Sequence, residues 1–188
     1  MHLCDWRVNV FLTVDLQSIQ QTNDSSNMKQ QRLLFVCLGN ICRSPAAEEI
    51  MRQIILKNPQ LMDRFEVDSA GIGPWHEGQL PDSRMRYHGK LHGYDFHHIA
   101  RQIKANDFDR FDLVFGMDSG NMSDLKGLAR DDRALSKIRC LADYMTQHPD
   151  YKVIPDPYYG DDEDFELAIA LIEDACSGLA NALKLQMK

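Results

Sequence analysis

Long apolar runs are missing: no stretch of the 188 residues approaches the roughly 20 consecutive apolar positions of a membrane-spanning helix. A secretory leader is not expected either, because Asp5 and Asp15 interrupt the modestly apolar start "MHLCDWRVNVFLTVDLQ" and no small-residue cleavage site follows. Basic charge is in deficit. With 21 Lys and Arg against 28 Asp and Glu, the formal net charge is -7. A field of that sign repels nucleic acid and anionic membrane surfaces, so any anionic substrate must be captured by a local site. Cysteine is sparse, odd in number and irregularly spaced (Cys4, Cys37, Cys42, Cys140, Cys176), which excludes a disulfide scaffold and suits a reduced, cytoplasmic chain. The nucleotide run Gly-x4-Gly-Lys-Ser/Thr is absent, and the Gly71, Gly73 pair meets His76 where a dinucleotide fingerprint requires glycine. Near Cys37 and Cys42 no second Cys or His pair stands at ligand spacing, so no metal site is expected.

What is present suffices for one α/β core, since 44% of the residues are hydrophobic and the length is that of a single domain. Residues 17 to 31, "QSIQQTNDSSNMKQQ", have linker composition. Residues 1–31 therefore read as an extension, with Met28 as an alternative start and "VNVFLTVDL" as an edge strand or short amphipathic element, and residues 32–188 read as the functional domain. Within it strand and helix patterns alternate. Leu33 to Cys37 is a continuous apolar run suited to a strand buried on both faces, and Ser44 to Leu56 has helical spacing. "FEVDSAG" and "DLVFGM" read as the second and third strands, and "IRCLADYM" contains a fourth. Helices are predicted from Pro81 to Leu91, over "DSGNMSDLKG" and from about Glu163 to Leu185. Such alternation implies a parallel sheet covered on both faces, with ligands at the carboxyl ends of its strands.

The segment "LLFVCLGNICRSPAAEE" carries the chemistry. Its loop lies between a strand end and a helix start, where backbone N–H groups converge on an anion and the helix dipole adds positive potential. Gly39 permits a tight turn, Asn40 tolerates a left-handed backbone, and Pro45 fits a first helical turn. Arg43 offers two parallel donors to a phosphate. Cys37 then lies at the bottom of a phosphate cradle, among donors that favour its thiolate. A buried free cysteine is often only a small apolar side chain. The strand-loop-helix setting, with Gly, Asn, Arg and Ser around it, favours the nucleophile, and none of the other four cysteines has Arg at the same offset.

Displacing an alcohol or phenol from phosphorus requires a proton for the leaving oxygen, which a thiolate cannot supply. Asp156 in "IPDPYYGDDEDFE" is the candidate acid, stiffened by Pro155 and Pro157. An ordinary Asp-Pro turn is the rival reading, but Tyr158 and Tyr159 beside it suit a slot for a flat aromatic ring. The acids Asp161, Asp162, Glu163 and Asp164 complement the dipole of the last helix and are assigned no chemistry.

Together "VCLGNICRSPAAE" and "DPYYG", with "VDSAG", "HIARQI" and "MDSGNMSDL", resemble the low molecular weight protein tyrosine phosphatases from about Leu33 to the last helix. The resemblance implies a four-stranded parallel sheet flanked by helices on both faces, no metal or organic cofactor, and hydrolysis through a phosphocysteine. It makes Cys37 the nucleophile, Arg43 the phosphoryl clamp, Ser44 the donor to the Cys37 sulfur and Asp156 the acid, then base. It matches Asn40, Ser69 and His92 to a hydrogen-bonded trio propping the cradle. For His92, a helix C-terminal residue before Gly93 is the other reading. Cys42 matches a cysteine able to pair reversibly with Cys37, Trp75 an aromatic at the rim, and Leu38 and Ile41 complete the apolar walls.

The expected substrate is a phosphotyrosine protein or small aryl phosphate, handled by a monomer or weak dimer. Rival functions are a thioredoxin-coupled arsenate reductase, a phosphoarginine phosphatase, whose resemblance includes Thr where Ile41 stands, and a noncatalytic phosphate-binding module.

Overall fold

The computed structural model describes residues 30–187, so the readings of "VNVFLTVDL" and Met28 lie outside the described residues. Four strands form one all-parallel sheet, β1 (Gln31–Cys37), β2 (Phe65–Gly71), β3 (Leu113–Gly116) and β4 (Ile138–Cys140), in the order β2-β1-β3-β4. The first strand begins within the segment read as an extension, Gln31 pairing with Phe65.

The apolar run of β1 is explained by burial on both sides. Leu33, Phe35 and Cys37 face one core, where Phe35 stacks on Phe115 at 5.3 Å between centroids, while Leu34 and Val36 face the other with Ala70 and Val114. Each such aliphatic side chain contributes about 2 kcal/mol through burial. The first core is closed by α1 (Arg43–Leu56) and by α6 (Asp162–Gln186), whose predicted stripe from Phe165 to Leu183 is buried. Between them in sequence lie α2 (Ser83–Leu91), the single-turn α3 (Asp107–Arg110), α4 (Ser119–Leu128) and the single-turn α5 (Asp132–Leu135). Phe108 of α3, Leu125 of α4 and Ala134 of α5 cover the second core. The two single turns were not predicted, being too short to show a period.

The chain leaves β1 to one side for β2 and returns to the other side for β3, so the carboxyl end of β1 is a topological switch point. That is where the Cys37 loop begins.

The segment returning from β4 toward Asp156 is held by one carboxylate of α6. Asp174, buried, accepts from the backbone N–H groups of Thr146 (3.0 Å), Gln147 (2.9 Å) and His148 (2.9 Å) and from Thr146 Oγ1 (3.1 Å). Burial opposes its charge, but the Thr146 N–H, the His148 side chain and the other amides prevail and lower its pKa from 3.8 to about 2. A carboxyl depressed in the folded state contributes stability above its unfolded pKa, and that contribution is lost as pH falls through the folded value. Asp174→Ala leaves these donors unsatisfied and is expected to cost about 2–4 kcal/mol at pH 7, lowering Tm by roughly 4–15 °C. Thermal melts at successive pH values should show the wild-type advantage shrinking between about pH 4 and pH 2; an advantage unchanged across that window would remove the charged clasp.

Candidate active site

Cys37 ends β1, and Leu38 to Cys42 turn the chain into α1 at Arg43. The turn is left-handed at Asn40 (φ 57°), as its residue type predicts. Asn40 is buried, and all its polar capacity facing the protein is used. Its Nδ2 donates to Ser44 Oγ (2.9 Å) and Ser69 Oγ (2.9 Å), and its Oδ1 accepts from the N–H of Arg101 (2.9 Å). The cradle also rests on Gly71, where a Cβ would come within 2.9 Å of the Gly39 carbonyl carbon and 3.0 Å of the Asn40 nitrogen. Only glycine allows that approach.

Ser44 Oγ lies 3.1 Å from Cys37 Sγ and 3.2 Å from the Ala70 carbonyl. Because Asn40 donates to it, the Ser44 proton is available to the sulfur or that carbonyl. The N-cap of α1 is Cys42, whose side chain makes no capping hydrogen bond, and the first turn carries no acid. The amides and dipole at this helix start therefore face the loop without an acidic counter-charge.

Arg43 is 1% exposed. Its Nη1 donates to Asp118 Oδ2 (2.5 Å) and the Ile154 carbonyl (3.0 Å), and its Nη2 to Asp156 Oδ2 (2.5 Å). Burial opposes the guanidinium charge, yet Cys37, Asp156 and Asp118 together raise its pKa above the ordinary arginine value. Its Nε is buried without a protein partner. An orphaned buried donor of this kind is suited to a ligand oxygen. Cys42 differs from Cys37 in role: burial first, then the charges of Cys37 and Asp156, push its thiol far up, so it remains protonated at neutral pH.

Asp156 caps a 3-10 turn, Pro157–Tyr159, by accepting from the Tyr158 N–H (3.2 Å). It stands at the mouth of a cavity of about 370 Å3, with Cys37, Leu38, Gly39, Ile41 and Cys42 along the cradle and Trp75, Tyr158 and Tyr159 on the walls. The Tyr158 and Tyr159 rings meet edge-on at 4.9 Å, and Tyr159 and Trp75 are strongly exposed. The predicted pocket residues are thus brought together around one opening.

The exception is His92. It is the C-cap of α2, before Gly93 at φ 83°, and its Nε2 pairs with Glu166 Oε2 (2.7 Å) on α6, well away from Asn40 and Ser69 in the hydrogen-bond network. The histidine that extends the trio is His98. Ser69 Oγ donates to Glu48 Oε2 (2.7 Å), and His98 Nδ1 lies 2.9 Å from the same oxygen. Burial opposes the Glu48 charge, but His98, Ser69 and Arg52 hold its pKa below the ordinary value. Glu48, Asp68 and His98 gather ligand-type atoms, but Arg52 pairs with Glu48 and Arg101 with Asp68, so the group is neutralised by cations of the chain itself.

Three further residues escaped sequence reasoning. Asp118, at the carboxyl end of β3, caps α4 through the Asn121 N–H (2.8 Å) while clamping Arg43; the rule that sites lie at strand carboxyl ends pointed toward it. His76 enters the cavity wall, its Nδ1 tied to Gln79 Oε1 (3.0 Å), and stands where a Cβ on Gly39 would lie 2.9 Å from its ring. Arg101 braces Asn40 through its backbone. Among the described residues the other two cysteines sit apart in the fold, Cys140 ending β4 and Cys176 buried on α6 against the Ala47 carbonyl. Neither occupies a loop of the cavity, which disfavours a thiol relay.

The family model described as low molecular weight phosphotyrosine protein phosphatase matches residues 32–188. A low molecular weight protein-tyrosine-phosphatase from Streptomyces coelicolor is 40% identical over 158 residues, 84% of this chain and 96% of that protein. A low molecular weight phosphotyrosine protein phosphatase from Rattus norvegicus is 41% identical over 136 residues, 72% of this chain and 84% of that one. Among solved structures, a protein tyrosine phosphatase from Entamoeba histolytica superimposes with a TM-score of 0.79 at 41% identity, covering 85% of this chain and all of that one (100%). With the cradle, the buried arginine and the four-stranded parallel sheet in agreement, the chain belongs to the low molecular weight phosphotyrosine protein phosphatase family.

Proposed function

We propose that the protein hydrolyses phosphotyrosine and small aryl phosphates through a phosphocysteine. The observation that carries this reading is the buried Arg43, tethered by two carboxylates and a carbonyl, with its Nε free for an oxyanion beside Cys37. A phosphate monoester enters with its oxygens on the loop amides and the guanidinium. The Cys37 thiolate attacks phosphorus, forming the S–P bond as the P–O bond to the aryl group breaks, and Asp156 protonates the departing phenolate oxygen. Water then attacks the phosphocysteine, Asp156 takes its proton, and the S–P bond breaks to return the thiolate and release inorganic phosphate. Ser44 supports the sulfur as attacking and leaving group from 3.1 Å.

The incoming dianion competes with Asp156 for Arg43, which frees the carboxyl to face the leaving oxygen. Ile41, buried and apolar in the cradle, and the aromatic walls favour an aryl group over a guanidinium in the slot. Every group named comes from one chain, so activity as a monomer or weak dimer is expected. A thiolate nucleophile and free cysteines among the described residues suit a reducing compartment such as the cytoplasm. We also read residues 32–188 as the phosphatase domain, joined by Gln31 at the start of its first strand, and the segment before that as an extension.

Turnover of 4-nitrophenyl phosphate is expected without added metal, unaffected by a chelator, and Cys37→Ser should lower kcat by roughly four orders of magnitude or more. Activity that survives the serine variant, or that disappears with chelator and returns with zinc, refutes the covalent route. Comparing phosphotyrosine, phosphoserine and phosphoarginine peptides should rank phosphotyrosine first. For Asp156→Ala, kcat/KM should drop about 10²–10⁴-fold with poor leaving groups and much less with good ones; equal losses across an aryl phosphate series would strip Asp156 of the acid role.

A further inference from the structure

We propose that Arg84 is a positioning residue that holds the Asp156 loop at its working height above the cradle, a role that rests on the phosphocysteine reading of the site. Arg84 lies in the first turn of α2, outside the cavity wall. Its guanidinium is fixed by Asp82, the N-cap of that helix, whose Oδ1 accepts from Nε (3.1 Å) and Oδ2 from Nη2 (2.9 Å). Asp82 is itself joined to the cradle, because its backbone N–H donates to the Ile41 carbonyl (2.8 Å). From this fixed post Arg84 Nη2 donates to the Tyr158 carbonyl (2.9 Å). The Tyr158 N–H in turn donates to Asp156 Oδ1 (3.2 Å).

One guanidinium thus connects the floor of the site to the loop that carries the acid. It also lies over two rings, Tyr158 at 5.6 Å and Phe165 at 4.7 Å, the latter in the first turn of α6. The acid loop is therefore braced from two directions by a planar cation whose own orientation is set by a two-point carboxylate pair. Arg43 holds the other oxygen of Asp156, but a phosphoryl group claims Arg43 during the reaction. At that moment the Arg84 bond to the Tyr158 carbonyl still restrains the loop beyond Asp156, as the Arg43 Nη1 bond to the Ile154 carbonyl restrains the segment before it. Proton delivery depends steeply on placement, so slackening the brace should affect the step that needs the proton and spare the step that does not.

The test is the leaving-group dependence of kcat/KM in Arg84→Ala, measured with phenyl phosphate and 4-nitrophenyl phosphate, alongside its Tm. The expected result is a loss of about 10-fold for phenyl phosphate and no more than about 2-fold for 4-nitrophenyl phosphate. Arg84→Lys should recover part of the phenyl phosphate rate, since an ammonium can reach the Tyr158 carbonyl but cannot hold the two-point pair with Asp82. In an Asp156→Ala background the selective loss should vanish, because the two residues act on one proton transfer. Equal losses on both substrates, or a selective loss that persists without Asp156, overturn the proposal. If Arg84→Ala does not fold, Arg84→Lys and Arg84→Gln are read by the same ratio. A wild-type protein inactive on both substrates refutes the phosphatase reading itself, whereas an active wild type with an unchanged ratio in the variants refutes only the brace.

Discussion

A positive charge sealed inside the protein is the constraint around which this site is organised. Taking a guanidinium out of water costs several kcal/mol unless its donors are paired. Arg43 meets that demand with Asp118, the Ile154 carbonyl and Asp156. These partners come from the carboxyl end of β3 and from the segment beyond β4, so satisfying one side chain draws two distant parts of the chain to the end of β1. The same pairing keeps the charge: burial alone would favour losing the proton, and Cys37, Asp156 and Asp118 outweigh it. Electrostatic preorganisation here means that the cation is already present, oriented and dry before a phosphate arrives.

The neutral half of the site does a different job. Asn40 joins α1 through Ser44, β2 through Ser69 and the Arg101 segment through its backbone, and so fixes the loop in a conformation that few residue types accept. Behind it the Ser69, Glu48 and His98 contacts continue the restraint into the protein. Charge and shape converge on Cys37 alone. Cys42, five positions along, stays a thiol, because burial first and then the charges of Cys37 and Asp156 push it far up.

How much of this the sequence discloses follows from the range of each interaction. The apolar run of β1, the periodic stripe of α6 and the strand-loop-helix setting of Cys37 are local patterns, and each stands in the structure close to where it is read. Asn40 and its left-handed turn belong to the same class. His92 and His98, by contrast, are told apart locally only by the segment "HIARQI", which begins at His98 but does not by itself reveal a partner. Which one reaches the Ser69 network depends on how the chain leaves α2, and Gly93 ends that helix with His92 already turned toward Glu166 on α6. Asp118 and Arg84 were illegible for the same reason: their partners lie 75 and 74 positions away in sequence. A residue whose meaning is a long-range contact looks, in isolation, like any other capping aspartate or surface arginine.

The acidity of the rim is itself a product of topology. In a parallel sheet each crossover helix starts just past a strand's carboxyl end, so the N-caps gather around the same opening, and aspartate is a favoured cap. Asp82 caps α2, Asp118 caps α4 and Asp156 caps the 3-10 turn, and each is also a partner of Arg84 or Arg43. Among the described α-helices, α1 alone has neither a side-chain cap nor an acid in its first turn. Its amides and its dipole are left for an anion that the chain does not supply, in the one place where the surrounding acids already have cations of their own. An acidic protein can therefore hold a phosphate site without reversing its net charge: what matters is which helix start is left without a carboxylate, and that a buried arginine stands there instead.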